Sequence, residues 1–237
     1  MLKVSDLSSR FFIVAHRGAS AYEPENTMRS FRHAVKLGCK AVEFDVRLSK
    51  DGYPIIIHDE TVDRTTNGHG RVDELSLEEL KALDAGLGEK IPLLDEVLDN
   101  LSGRAVFFIE LKVDDAVKPV LEAVEDRDLW SSVLFISFKP FHLREILNYN
   151  SDAYVGLIYF KSGDGIITAR RIDAIAVLPY YRFASKRAVA FAKKLGLMII
   201  PWTVDSISVA KKLKSYGVNG VATNKPDLLL SLEDYYS

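Results

Sequence analysis

The strongest constraint on this chain is a rhythm. Eight short, continuously apolar runs alternate with helical patterns along 237 residues, and no long linker separates them. The runs lie at 12–15, 41–46, 105–111, 133–137, 153–158, 174–177, 197–202 and 220–223. They are rich in Val, Ile and Phe and do not alternate with polar residues, as expected of parallel strands covered by helices. Between them, 27–37 carries Met28, Phe31, Ala34 and Val35 on one side of a helix, and 185–195 carries Val189, Phe191 and Ala192. Eight βα units in a chain near the ~250 residues typical of the fold predict an α/β (β/α)8 TIM barrel.

One stretch breaks the rhythm. After the Asp51-Gly52 turn, 53–58 reads as a further short strand extending the second barrel strand. Residues 61–94 contain Asn67-Gly68 and the helix start Ser76-Leu77-Glu78-Glu79. Together they form a small insertion at about 51–94, between the second and third barrel strands. It is too small for an independent domain, so 1–237 is expected to be a single barrel domain.

Composition narrows the partners. With 31 basic and 33 acidic residues the formal charge is -2, which gives no global attraction to nucleic acid or an anionic bilayer. Lys193-Lys194 and Lys211-Lys212-Leu213-Lys214 read as solvated helix faces. Cys39 is the only cysteine, so neither an intrachain disulfide nor a thiolate metal cluster can form. The early run from Phe11 to Ala15 is short for a signal-peptide core, and no run approaches the ~20 residues that span a membrane. A cytoplasmic enzyme with no integral membrane segment is expected. The oligomeric state is left open.

The chemistry is concentrated between Ile13 and Gly68. His16-Arg17 follows the first run, Glu43-Phe44-Asp45 lies in the second, and His58-Asp59 follows Ile55-Ile56-Ile57. Glu43 and Asp45 are two apart on a strand, so both side chains share one face, the barrel interior. Two unpaired carboxylates there would repel and be costly to desolvate, and a divalent cation resolves the conflict. A buried pair with Arg17 or Arg47 is the structural alternative. Glu110 and Lys112 repeat the spacing after Val106-Phe107-Phe108-Ile109, as a third carboxylate and an interior cation facing a phosphate, or as a plain ion pair. Arg17 offers a planar fork of donors suited to a phosphate diester. Trp202 ends the seventh run and either lines the pocket or belongs to the core. Glu25 and Asn26 shape the loop after the first strand, and Tyr180-Tyr181 rims the pocket. His33, His69, His142, Asp59, Asp63 and Asp95 are read as structural or solvated.

These motifs resemble the glycerophosphodiester phosphodiesterase family. The likeness rests on His16-Arg17-Gly18, Pro24-Glu25-Asn26-Thr27, Glu43-Phe44-Asp45-Val46, Asp51-Gly52, His58-Asp59 and Arg64-Thr65-Thr66. It continues through 91–98, Ile109-Glu110-Leu111-Lys112, Trp202-Thr203-Val204 and 217–221. One departure stands out: Thr223-Asn224 occupies a place where the family usually has an aspartate after the threonine.

The resemblance implies metal-dependent hydrolysis of glycerophosphodiesters to glycerol phosphate and an alcohol. It implies one divalent ion, Mg²⁺ or Ca²⁺ with Mn²⁺ as a further candidate, on Glu43, Asp45 and Glu110. By analogy His16 is the general base and His58 the general acid, with Arg17, Lys112 and Trp202 at the substrate. Two alternatives are a phospholipase D-like hydrolase of lysophospholipids on the same scaffold and a non-catalytic glycerophosphate-binding barrel. The first would need an apolar landing surface at the mouth, and the sequence displays no exposed aromatic cluster. The second would not need the paired histidines.

Overall fold

The computed structural model describes residues 1–7, 10–161 and 163–233. Among them lie nine strands: β1 (Phe12–His16), β2 (Ala41–Leu48), β3 (Pro54–Ile56), β4 (Val106–Leu111), β5 (Val133–Ser137), β6 (Tyr154–Tyr159), β7 (Ala176–Pro179), β8 (Met198–Ile199) and β9 (Gly220–Thr223). Eight run parallel in the order β8-β7-β6-β5-β4-β2-β1-β9, and β3 pairs antiparallel with β2. Between β8 and β9 a few single backbone bonds replace a ladder: Asn219 N to Ile199 O, Ala222 N to Pro201 O and Val204 N to Ala222 O, each 2.9 Å. The result is a nearly closed barrel with helices between its strands.

The strand expected at 197–202 is regular only over Met198–Ile199. Pro201 has no N–H to give to a ladder, so the segment continues toward β7 through single bonds, Ile200 N to Val177 O and Trp202 N to Pro179 O, each 3.0 Å. The run expected at 174–177 starts two residues later, as β7.

Two apolar layers hold the barrel. Phe31, Phe44, Phe107 and Phe135 belong to the layer between strands and helices, while Phe12, Val14, Phe108, Ile136 and Leu178 fill the barrel interior. The short helix Val4–Leu7 packs Val4 and Leu7 into the interior cluster, beside Phe12. Helix Met28–Leu37 begins where the Thr27 hydroxyl accepts the Ser30 amide and ends at Gly38, whose left-handed backbone closes it. In the insertion, Ser76 and Glu79 form a reciprocal capping box for helix Leu77–Ala82. That insertion has its own apolar cluster, including Ile55, Ile57, Val62, Val72 and Leu80.

The period of two along each strand fixes what reaches the mouth. Phe12 and Val14 fill the interior, and the next position of that parity is His16. By the same step, interior Ala41 leads to Glu43 and Asp45, Val106 and Phe108 to Glu110, and Ala222 to Asn224. Ile136, Ile158, Leu178 and Ile200 lead instead to Phe138, Phe160, Tyr180 and Trp202. The mouth therefore has a polar arc from β9, β1, β2 and β4 and an aromatic arc from β5 to β8.

Candidate active site

Glu43, Asp45 and Glu110 meet at the C-terminal end of the barrel, the end at which this fold carries its chemistry. All three are buried, and one oxygen of each lies within 4.8 Å of the others. Asp45 and Glu110 are register partners across β2 and β4, which explains the convergence.

The loop after β1 supplies the next contacts. Arg17 adopts a left-handed backbone (φ 55°), which points its N–H at Glu43 Oε2, 2.9 Å away. Its guanidinium reaches Glu25 Oε1 at 2.9 Å and lies 3.2 Å from Asp45 Oδ2. Gly18 (φ 80°) makes this turn possible, because a Cβ there would stand 2.2 Å from Ser30 Oγ. Asn26 Nδ2 donates to Asp45 Oδ2 at 2.9 Å. Lys112 Nζ donates to Glu110 Oε1 at 2.6 Å and lies 3.4 Å from Asp45 Oδ1.

Among the described residues these partners leave two buried carboxylate oxygens without a hydrogen bond, Glu43 Oε1 and Asp45 Oδ1. Unpaired buried carboxylate oxygens are costly, and a hard divalent cation satisfies them with oxygen ligands. The donor set therefore fits such an ion. Electrostatics agree: burial, with Asp45 and Glu110 close by, pushes the Glu43 carboxyl well above its ordinary range. Burial and Asp45 raise Glu110 to about 7. Burial opposes ionisation of Asp45 too, but Lys112 and Arg17 outweigh it and hold that group down to about 2. A nearby cation would reverse the first two shifts.

The two histidines face the same pocket from different surroundings. His16 Nε2 lies 3.9 Å from Glu43 Oε2, and burial followed by the Arg17 charge lowers its pKa to about 4. Its Nδ1 meets Asn224 Oδ1 at 2.8 Å, and Asn224 Nδ2 donates to Asp205 Oδ2 at 2.8 Å. His58 pairs Nδ1 with Asp59 Oδ1 at 2.6 Å, while Arg47 Nε donates to its backbone carbonyl at 2.9 Å. Burial lowers the His58 pKa as well, helped by Lys112 and Arg17 and opposed by Asp45 and Asp59.

All eight residues singled out from the sequence converge on one pocket. His16, Arg17, Glu43, His58, Glu110, Lys112 and Trp202 line a cavity of about 90 Å³ together with Phe138, Ile136, Ile158, Leu178 and Ala222, and Asp45 contacts Arg17 and Lys112 of that lining. Trp202 donates its indole N–H to Leu178 O at 2.8 Å, and its ring meets Phe138 edge-on.

Other residues at the site had been read as structural or went unremarked. Asp59 supports His58, and Arg64 ties Asp59 to Glu25, with Nε 2.5 Å from Asp59 Oδ2 and Nη1 2.8 Å from Glu25 Oε2. The sequence signals were the adjacency His58-Asp59 and the Arg64-Thr65-Thr66 motif. Asp205 carried none, because it reaches Asn224 across 19 positions. The aromatic cluster missing from the linear sequence is present at the mouth: Phe138 and Phe160 are 36% and 53% exposed and touch edge to face. It comes from separate loops, which is why no single stretch displays it.

The model of the glycerophosphoryl diester phosphodiesterase family matches residues 16–228. A glycerophosphodiester phosphodiesterase of Caldanaerobacter subterraneus subsp. tengcongensis is 35% identical, across 93% of this chain and 96% of that protein. A solved phosphodiesterase of Oleispira antarctica, in complex with the product sn-glycerol-3-phosphate, superposes with a TM-score of 0.85 at 30% identity, covering 93% of this chain and 95% of that one. A Silicibacter pomeroyi structure superposes at a TM-score of 0.90 over 97% of both chains, and at 23% identity it bears on the fold alone.

Proposed function

Because the chain belongs to the glycerophosphoryl diester phosphodiesterase family, we propose that it hydrolyses glycerophosphodiesters to glycerol phosphate and an alcohol by histidine general acid/base catalysis. The reading rests on one observation above all: Glu43, Asp45 and Glu110 set two carboxylate oxygens that accept no hydrogen bond among the described residues beside a pair of histidines in one pocket. The product bound to the Oleispira antarctica relative supports a glycerol phosphate in that place.

Glu43, Asp45 and Glu110 would hold one divalent cation, Mg²⁺, Ca²⁺ or Mn²⁺, which when bound polarises phosphoryl oxygens. Arg17 and Lys112 place positive charge where negative charge builds on the non-bridging oxygens. His16, held neutral by burial, accepts the proton of the attacking oxygen at Nε2. His58 gives a proton to the departing alkoxide. The Asp59 carboxylate behind its Nδ1 and the charge of a bound phosphate both favour its protonated form. Trp202, Ile136 and Leu178 present an apolar wall to the glycerol carbons.

A product assay tests this directly. Glycerophosphocholine and glycerophosphoethanolamine should yield glycerol phosphate with Mg²⁺, Ca²⁺ or Mn²⁺ present, with little dependence on the alcohol. An analogue lacking the 2-hydroxyl should react far more slowly. No turnover of either diester with any of the three ions would sink the proposal. The aromatic arc gives specific support to the lysophospholipid alternative, and faster cleavage of a long-chain lysophospholipid than of either soluble diester would select it.

A further inference from the structure

Three successive barrel strands end in an aromatic residue followed by a cation: Phe138-Lys139 after β5, Phe160-Lys161 after β6 and Tyr181-Arg182 after β7. The fold joins them into one ribbon. Phe160 meets Phe138 with ring centroids 5.8 Å apart, Phe138 meets Trp202 at 5.7 Å, Trp202 meets Tyr180 at 5.9 Å and Tyr180 meets Tyr181 at 4.8 Å. Phe138 and Phe160 are exposed, and Phe141 beside Lys139 is 48% exposed. Exposed phenylalanines clustered with cations along one side of a mouth are not what a small soluble substrate requires.

The charge of this ribbon is free to act outward. Lys139 is neutralised by Asp114 at 2.6 Å, but among the described residues neither Lys161 nor Arg182 pairs with a carboxylate. Lys161 lies 5.4 Å from the centroid of the Phe160 ring and Arg182 5.9 Å from that of Tyr181, so each cation stands over an aromatic face. Aromatic rings favour the interface between water and lipid, and cations beside them are drawn to an anionic headgroup layer.

We propose that the aromatic arc docks on an anionic phospholipid surface, with Phe138, Phe141 and Phe160 entering the interface and Lys161 and Arg182 among the headgroups. Charge complementarity selects this occupant over a second copy of the chain, since two such ribbons face to face would bring like charges together. Phe138 and Trp202 belong both to the ribbon and to the lining of the pocket, so docking brings the site to the lipid surface.

The test reads binding without turnover, so it stands apart from the hydrolytic proposal. The full chain is sedimented with phosphatidylcholine vesicles, with and without phosphatidylglycerol. Binding should require phosphatidylglycerol and weaken with salt. Lys161→Glu with Arg182→Glu should weaken it by at least about fivefold for each cation, and Phe160→Ser should weaken it too. These variants should keep the wild-type kcat/KM on soluble glycerophosphocholine, because none of the three residues lines the pocket. Lys211→Glu with Lys212→Glu, on the helix Ile207–Tyr216, should bind as the wild type does. Equal binding to both vesicle types, no binding to either, or equal losses from the ribbon and helix variants would overturn the proposal. So would a stable dimer in solution that the Phe160→Ser substitution dissociates.

Discussion

Asn224 accepts the Nδ1 proton of His16 across 2.8 Å, and it can do so in only one orientation. The Asp205 carboxylate offers only acceptors, so the Asn224 amide must turn its NH₂ toward Asp205 Oδ2 and its oxygen toward the imidazole. The imidazole is then protonated at Nδ1, leaving the Nε2 lone pair to the pocket. Ser20 donates to the same Asn224 oxygen at 2.9 Å and helps fix it.

Asn224→Leu should therefore lower kcat by about 10- to 100-fold, the range seen when the outer hydrogen-bond partner of a metal-bound imidazole is removed. Asn224→Asp should raise the His16 pKa from about 4, because a carboxylate stabilises imidazolium. A base works when neutral, so the acid limb of the kcat/KM profile should move to higher pH. An unchanged acid limb in this variant would show that His16 is not the base.

The histidines should separate by leaving group. His16→Ala and His58→Ala should each cost at least ~100-fold on a natural diester. A p-nitrophenyl ester needs no proton on its leaving group and should rescue His58→Ala alone. Rescue of neither variant would mean that the acid and base roles are wrongly divided.

Asp59 provides a second check on the acid. Asp59→Asn removes a charge that raises the His58 pKa, so the alkaline limb of kcat should shift to lower pH. If that limb keeps its position while activity merely falls, Asp59 acts only in packing.

The acidic trio predicts pH-dependent cation binding. In the metal-free protein Glu110 titrates at about 7, above the ~4.3 of an unfolded chain, so the native state binds the extra proton in between. By linkage this places a cost on the fold that is absent below ~4.3 and complete above ~7. A cation replaces that proton, so the Tm gained on adding Mg²⁺ should be larger at about pH 8 than at about pH 5. Glu43→Ala, Asp45→Ala and Glu110→Ala should abolish the gain along with most activity. Calorimetry in chelator and in excess Mg²⁺ measures this, and an equal gain at both pH values would remove the basis for the site.

The fold and the convergence of the pocket residues were legible because both follow local rules. Eight apolar runs announced eight parallel strands, and the interval of two from Glu43 to Asp45 announced a shared interior face. What stayed hidden was contact between distant segments. Arg64 meets Glu25 across 39 positions, and Asp205 meets Asn224 across 19. The aromatic ribbon was invisible for the same reason: each ring occupies an ordinary loop, and only closure of the barrel brings them together. The irregular end of β8 was in view, since Pro201 was plain in the sequence, but its effect depended on which neighbour required the missing N–H.

The Arg64 bridge has a consequence for how the enzyme fails. The insertion that carries Arg64 and Asp59 is held by its own small cluster around Ile57, Val62 and Leu80, separate from both barrel layers. Small cores open at lower free energy than large ones, so heat should loosen this segment first. Once it opens, Asp59 and Arg64 depart and His58 loses its support while the barrel still stands. Inactivation on warming should then be an early, reversible fading, completed before the main body of the protein melts.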